Sequence, residues 1–134
     1  MSLTDLFDKL GAPLANQRWS WGSIREDGAV FLRVWQDRRK KIDGKWHMMV
    51  THHAAYKDDP ESLGYQERLR HVKAVKAGAP CYMVMCLAKN PEDRPRQIKS
   101  YDKKDVFLGG ECREFEGDTW LELRERVSIK SIAI

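Results

Sequence analysis

Asn16-Gln-Arg-Trp-Ser-Trp-Gly-Ser-Ile-Arg-Glu-Asp-Gly-Ala-Val-Phe-Leu-Arg-Val-Trp-Gln-Asp37 is the stretch whose reading decides the fold. It reads as a β-hairpin. Glu26-Asp27-Gly28 is the turn, because Asp-Gly supplies the positive-φ backbone of a tight loop. The first arm carries Trp19 and Trp21, two residues apart and therefore on one face. The second arm alternates, with Val30, Leu32 and Val34 on one side and Phe31, Arg33, Trp35 and Asp37 on the other. A face that mixes two aromatic rings, a guanidinium and a carboxylate is too polar for an ordinary core and too aromatic for plain water.

Outward from the hairpin, the N-terminal side predicts a short helix over Ser2–Leu10. Ser2 or Thr4 can cap it, and Leu3, Leu6, Phe7 and Leu10 fall at helical spacing. Gly11 and Pro13 stop it. On the other side, Arg38, Arg39, Lys40 and Lys41 are four consecutive cations, read as a loop that faces solvent or an anion. Asp43-Gly44 is a second turn. Lys45–His53 reads as a third strand, able to pair with the one ending at Asp37, and the basic residues at its tip suit phosphate contact; a merely solvated tip is the competing reading.

A polar loop follows at Tyr56–Ser62, then the main helix at about Leu63–Ala77, closed by Gly78. Cys81–Ala88 is nearly all apolar, as expected of a strand buried on both faces. Asn90–Pro95 is a turn-rich loop and Arg96–Tyr101 a strand. Asp102–Val106 reads as a polar turn, and Gly109-Gly110 as a chain break. Arg113–Phe115 and Thr119–Arg126 form a last hairpin about Glu116-Gly117-Asp118, with Val127–Ile134 as an edge strand. These elements predict an α+β fold: a small mixed, mostly antiparallel β-barrel of about six strands, with one main helix and a short N-terminal helix, as a single domain over residues 1–134.

With 134 residues, 42% hydrophobic and 33% charged, the chain can bury a real core. Its apolar runs are too short for a membrane span. The N-terminus lacks a signal pattern, so a cytoplasmic protein is expected. Cys81, Cys86 and Cys112 are odd in number and form no C-x-x-C, which disfavours a disulfide framework or structural zinc. The net charge of +4 and pI of about 9.0 suit a polyanionic partner without requiring one.

No catalytic constellation is recognisable. The cysteines lie in no thiolate-stabilising turn. His52 and His53 would point to opposite faces of a strand, and His47 stands about 20 Å from His53 along it. Gly109-Gly110 is not followed by a phosphate-binding helix start. Neither a metal nor a cofactor is expected. What remains is recognition: Trp19, Trp21, Trp35, Trp46 and Trp120 are a high tryptophan load, and tryptophan is a strong stacking residue for a base. Any single tryptophan could equally plug the barrel. The set favours a site, because Arg33 and Asp37 share the Trp35 face and could contact a base edge.

Arg18-Trp-Ser-Trp-Gly22, Val30-Phe-Leu-Arg-Val-Trp-Gln-Asp37 and Gly64-Tyr-Gln-Glu-Arg-Leu69 together resemble a domain that stands beside HNH nucleases in modification-dependent restriction systems. The layout is similar to the PUA-like superfamily, which includes EVE, YTH and ASCH domains. The resemblance implies a small barrel that reads modified DNA or RNA through an aromatic cage. It implies that Trp19, Trp21, Arg33 and Trp35 line or support the pocket, with Tyr65, Glu67 and Arg68 bordering it from the helix; Ser20 and Asp37, on the same hairpin, are counted with the binding residues. Any cleavage would then be expected from a partner nuclease. Two other classes stay open: an ASCH-like hydrolase of a modified nucleoside, using a lysine and a carboxylate such as Lys45 and Glu67, and a protein-interaction module whose tryptophan face is a hot spot.

Overall fold

The structure is a computed structural model that describes residues 2–93 and 96–133. In chain order the elements are α1 (Leu3–Lys9), β1 (Gly22–Ile24), β2 (Val30–Trp35), β3 (Arg39–Ile42), β4 (Lys45–Met49), α2 (His53–Tyr56), α3 (Leu63–Lys76), β5 (Cys81–Ala88), β6 (Ile98–Tyr101), β7 (Asp105–Phe115), β8 (Asp118–Ser128) and α4 (Ile129–Ile132). The strands form one mixed sheet in the order β1-β2-β5-β7-β8-β4-β3, with β6 added beside β5. The β2–β5 pair is parallel and the others are antiparallel.

Local chemistry explains the element ends. Ser2 Oγ accepts from the Asp5 amide at 3.1 Å while the Asp5 carboxylate accepts from the Ser2 amide at 3.0 Å, a reciprocal cap on α1. Ser62 Oγ caps α3 by accepting from the Tyr65 amide at 3.3 Å. Asp43 and Gly44 both take positive φ, 52° and 79°, as a two-residue hairpin loop between β3 and β4 requires. The sheet separates two cores. Phe31 packs with Val84, Cys86 and Val106 against Leu6, Phe7 and Leu10 from the N-terminal segment. Val30, Leu32 and Val34 pack on the other side with Met48, Met83, Leu121 and the α3 residue Val72. The strict alternation of β2 is what lets it serve both.

Several expectations need correction. The sheet is open: β1 and β3 are its two edges, so there is no closed barrel, and the described residues hold eight strands rather than six. The hairpin has a short first arm. Residues Gln17–Trp19 form a turn, closed by Ser20 N donating to Asn16 O at 3.0 Å, so Trp19 and Trp21 do not share a strand face. Three of the four cations, Arg39, Lys40 and Lys41, are not in a loop but in β3, and Arg38 stands in the bend just before it. The repulsion that argued for a loop is relieved by rings: Arg39 and Lys41 lie over Trp46 at 5.3 and 5.6 Å, and Lys40 over Phe115 at 4.2 Å.

The third strand stops at Met49, and it pairs with β3 and β8 rather than with β2. Asp102–Val106 already enters β7 at Asp105, and Gly109-Gly110 lies inside that strand at a register shift. A Cβ on Gly109 would fall 2.5 Å from Leu121 Cδ2, so the glycine is there for close packing and not as a break. The tail is not an edge strand: β8 runs on to Ser128, and α4 follows. Residues 94, 95 and 134, which the sequence places in the Asn90–Pro95 loop and the tail, lie outside the described residues.

Candidate functional site

Arg68, on the second turn of α3, joins segments that the sheet does not ladder to one another. Its Nη1 donates to Val50 O at 3.1 Å, just beyond β4, and its Nη2 donates to Trp21 O at 3.2 Å and to Arg33 O in β2. One guanidinium therefore ties the segment after β4 to β2 and to the residue that leads into β1. Burial, followed by the charge of nearby Arg33, pulls its pKa down to about 10, so it stays a cation at neutral pH.

Beside this clamp lies a cavity of about 440 Å³, lined by Trp21, Arg33, Trp35, Arg38, Tyr56 and Tyr65 together with Met49, Thr51, His52, Asp59, Cys86 and Arg96, among others. That volume is within the range of small-molecule sites. Its walls are rings. Tyr56 stacks on Tyr65 at 4.5 Å with planes 7° apart, and Trp21 stands 5.2 Å from Tyr56 at a tilt of 55°. Trp21 also lies under Arg68, and Trp35 under Arg96 at 5.3 Å. The Tyr65 hydroxyl is 2.7 Å from His53 Nδ1.

Polar contacts behind the walls hold them. Glu67 is 4% exposed, and its carboxylate accepts from the Ser20 hydroxyl at 2.8 Å and from the Trp21 amide at 3.1 Å. Gly64 brings α3 against the indole; a Cβ there would lie 2.4 Å from Trp21 Cε2. On the far wall, Asp37 takes a bidentate pair from Arg96 at 2.7 and 2.8 Å, and that bond holds its carboxyl below the usual range. Arg38 contacts the His52 ring and the Met49 sulfur. Arg33 has no hydrogen bond or ion pair from its guanidinium among the described residues, and burial lowers its pKa.

Of the residues singled out from sequence, Trp21, Arg33, Trp35, Arg38, Tyr65 and Arg68 come together at the cavity. Trp19, Ser20, Asp37 and Glu67 do not line it. Ser20, Asp37 and Glu67 act behind it, and Trp19 packs its carbonyl against Gly64. Arg39, Lys40 and Lys41 lie on the β3–β4 hairpin beside Trp46 and Phe115. Lys45 and Glu67 are not brought together: Lys45 stands 3.7 Å from Glu122. Tyr56, His52 and Arg96 were missed, because each reaches the cavity through contacts distant in sequence.

Cys86 and Cys81 are free and buried, and burial pushes their thiols up to about 11 and about 12. Among the described residues, no group of three His, Cys, Asp or Glu side chains converges as a metal-ligand set, and no helix is long and apolar enough to cross a membrane. No protein family, curated protein or solved structure matches this chain.

Proposed function

We propose that this protein is a nucleic-acid-binding module that receives a flipped or modified base between Trp21, Trp35 and Tyr56. One observation carries the reading. The rings surround an open cavity of about 440 Å³, and the contacts of buried Glu67, together with the more exposed Asp37–Arg96 pair, hold them there instead of letting them fill a core. Stacking on such rings is worth about 1–3 kcal/mol per base, enough to offset the few kcal/mol that extrusion from a stack requires. The motifs that resemble PUA-like modified-base readers supply Trp21, Arg33, Trp35 and Tyr65 of these walls, which favours the same reading. The run of cations starts at Arg38 on the cavity wall, just before β3, and goes on through Arg39, Lys40 and Lys41 of that strand, a path suited to the flanking phosphates.

The test is a panel of unmodified, methylated and hydroxymethylated DNA and RNA oligonucleotides, read by quenching of intrinsic tryptophan fluorescence. Trp35→Ala should weaken binding about tenfold or more, the equivalent of one lost stacking contact, with circular dichroism unchanged. Unchanged affinity for every oligonucleotide would remove the cavity from base recognition. The double variant Arg38→Ala, Arg39→Ala should weaken all sequences alike and flatten the salt dependence.

A further inference from the structure

We infer that the occupant of this cavity carries an anionic group on its planar ring or on the sugar attached to that ring, and that Arg33 pairs that group. The chemistry is a carboxylate or phosphate joined to a heteroaromatic ring directly or through a sugar. A base carboxylated on its ring would present it, as would a base bearing its own terminal phosphate. The inference rests on the base-binding reading above and narrows its ligand.

The charge around the cavity makes the case. Three of its four guanidiniums are occupied by the protein. Arg68 serves three carbonyls, Arg96 is paired with Asp37, and Arg38 is engaged by His52 and Met49. Of the four guanidiniums, that of Arg33 alone makes no hydrogen bond or ion pair among the described residues. Its backbone is fixed on both sides: its amide donates to Trp21 O at 2.9 Å, its carbonyl accepts from Arg68, and β2 is laddered to β5. The donors therefore stand on a rigid element, pre-organised for a ligand.

Two carboxylates bear on Arg33, and neither pairs with it among the described residues: Asp59, which lines the cavity, and Glu67, whose charge reaches it from behind the wall. Glu67 is committed to Ser20 and the Trp21 amide, and its charge reaches Arg33 only through space. A partly buried cation without a counter-charge is costly, and burial disfavours its charged form. A neutral methylated ring would stack on Trp21 and Trp35 but leave that charge as it is. Guanine could satisfy the donors through its O6 and N7 acceptors, again without compensating the charge. A carboxylate or phosphate does both, through the paired N–H···O geometry that guanidinium favours.

The experiment compares matched ligands on the wild-type chain by tryptophan quenching: adenosine, cytidine and guanosine against their 5′-monophosphates, and oligonucleotides containing 5-methylcytosine against 5-carboxylcytosine. At least one anionic member should bind about tenfold tighter than its neutral partner, as expected for one charge-assisted contact. A preference among the monophosphates alone assigns the anion to a terminal phosphate; a preference for 5-carboxylcytosine alone assigns it to the base. Arg33→Gln should abolish the preference, and Arg33→Lys should keep part of it. Equal affinity within each pair would overturn the inference, as would a preference that survives Arg33→Gln. Should Arg33→Gln fail to fold, Arg33→Lys decides: a preference reduced from the wild type supports the assignment and an undiminished one overturns it. Trp35-dependent binding of neutral bases with no anionic preference would leave the base-binding reading standing and sink this one. Failure of every nucleotide and oligonucleotide to bind would sink both.

Discussion

Two cavities meet at Thr51, and they differ in how their charges are settled. The smaller, about 320 Å³, lies between α3 and the β7–β8 hairpin. Its Lys76 ammonium stands 2.6 Å from Glu114, and Glu114 also accepts from the Thr119 hydroxyl at 2.8 Å. The larger, about 440 Å³, lies against the other end of α3 and leaves the Arg33 guanidinium open. Both are built on one helix and one sheet. The difference teaches that volume does not mark a site here. What sets the larger cavity apart is a guanidinium on a rigid strand, without an ion pair among the described residues and facing aromatic walls, and the proposed function rests on that difference.

The largest expected effect probes that rigidity. Arg68→Met should remove the clamp and strand the Val50, Trp21 and Arg33 carbonyls, a loss on the order of 3–5 kcal/mol in urea unfolding. Arg68→Lys should recover only part of it, since a single ammonium cannot reproduce the planar fork. An unshifted unfolding midpoint for Arg68→Met would mean that the larger cavity's frame is held some other way, and the contrast between the cavities would weaken.

A smaller effect should separate the cavities directly. In Gly64→Ala the new Cβ would lie 2.4 Å from Trp21 Cε2, so the indole must move. Overpacking of this kind costs about 1–3 kcal/mol. Trp21 emission should shift and base binding fall, with the Lys76–Glu114 side untouched. If ligand affinity stays at the wild-type level while stability drops, Trp21 is packing and not a wall of the site.

How much of this could be read from the residues depends on how local the cause is. Asp27-Gly28 and Asp43-Gly44 act within their own turns, and the alternation of Val30–Trp35 acts within its own strand, so both were legible. The parallel β2–β5 pairing, with Trp35 opposite Cys86, is set by elements about fifty residues apart and left no local mark. Gly109-Gly110 looked like a break because the Leu121 and Glu122 side chains that crowd it come from another strand. Arg39–Lys41 looked like a loop because the rings that receive these cations, Trp46 and Phe115, are also elsewhere in sequence. At the site, the aromatic and arginine residues of β2 and α3 were legible as a set. Residue type could not say that Glu67 and Asp37 work behind the walls, or that Tyr56 completes them, because burial and partners decide those roles.

The smallest expected effect concerns the settled cavity. Lys76, and then Thr119, hold the Glu114 carboxyl below its ordinary value of 4.5. A carboxylate depressed in the folded state stabilises the protein above that ordinary value, and the contribution fades as pH falls through the lower folded one. Lys76→Met removes the chief cause. Because both side chains are largely exposed, the loss at pH 7 should be only a few tenths of a kcal/mol and should shrink further in high salt. Urea midpoints of the wild type and the variant should therefore differ slightly at pH 7 and converge at pH 3, with base binding in the larger cavity unchanged. A loss above about 1 kcal/mol would place the pair outside the range of a solvent-screened bridge. The Lys76–Glu114 cavity would then be a second strongly coupled charge site, and its contrast with the Arg33 cavity would rest on occupancy alone.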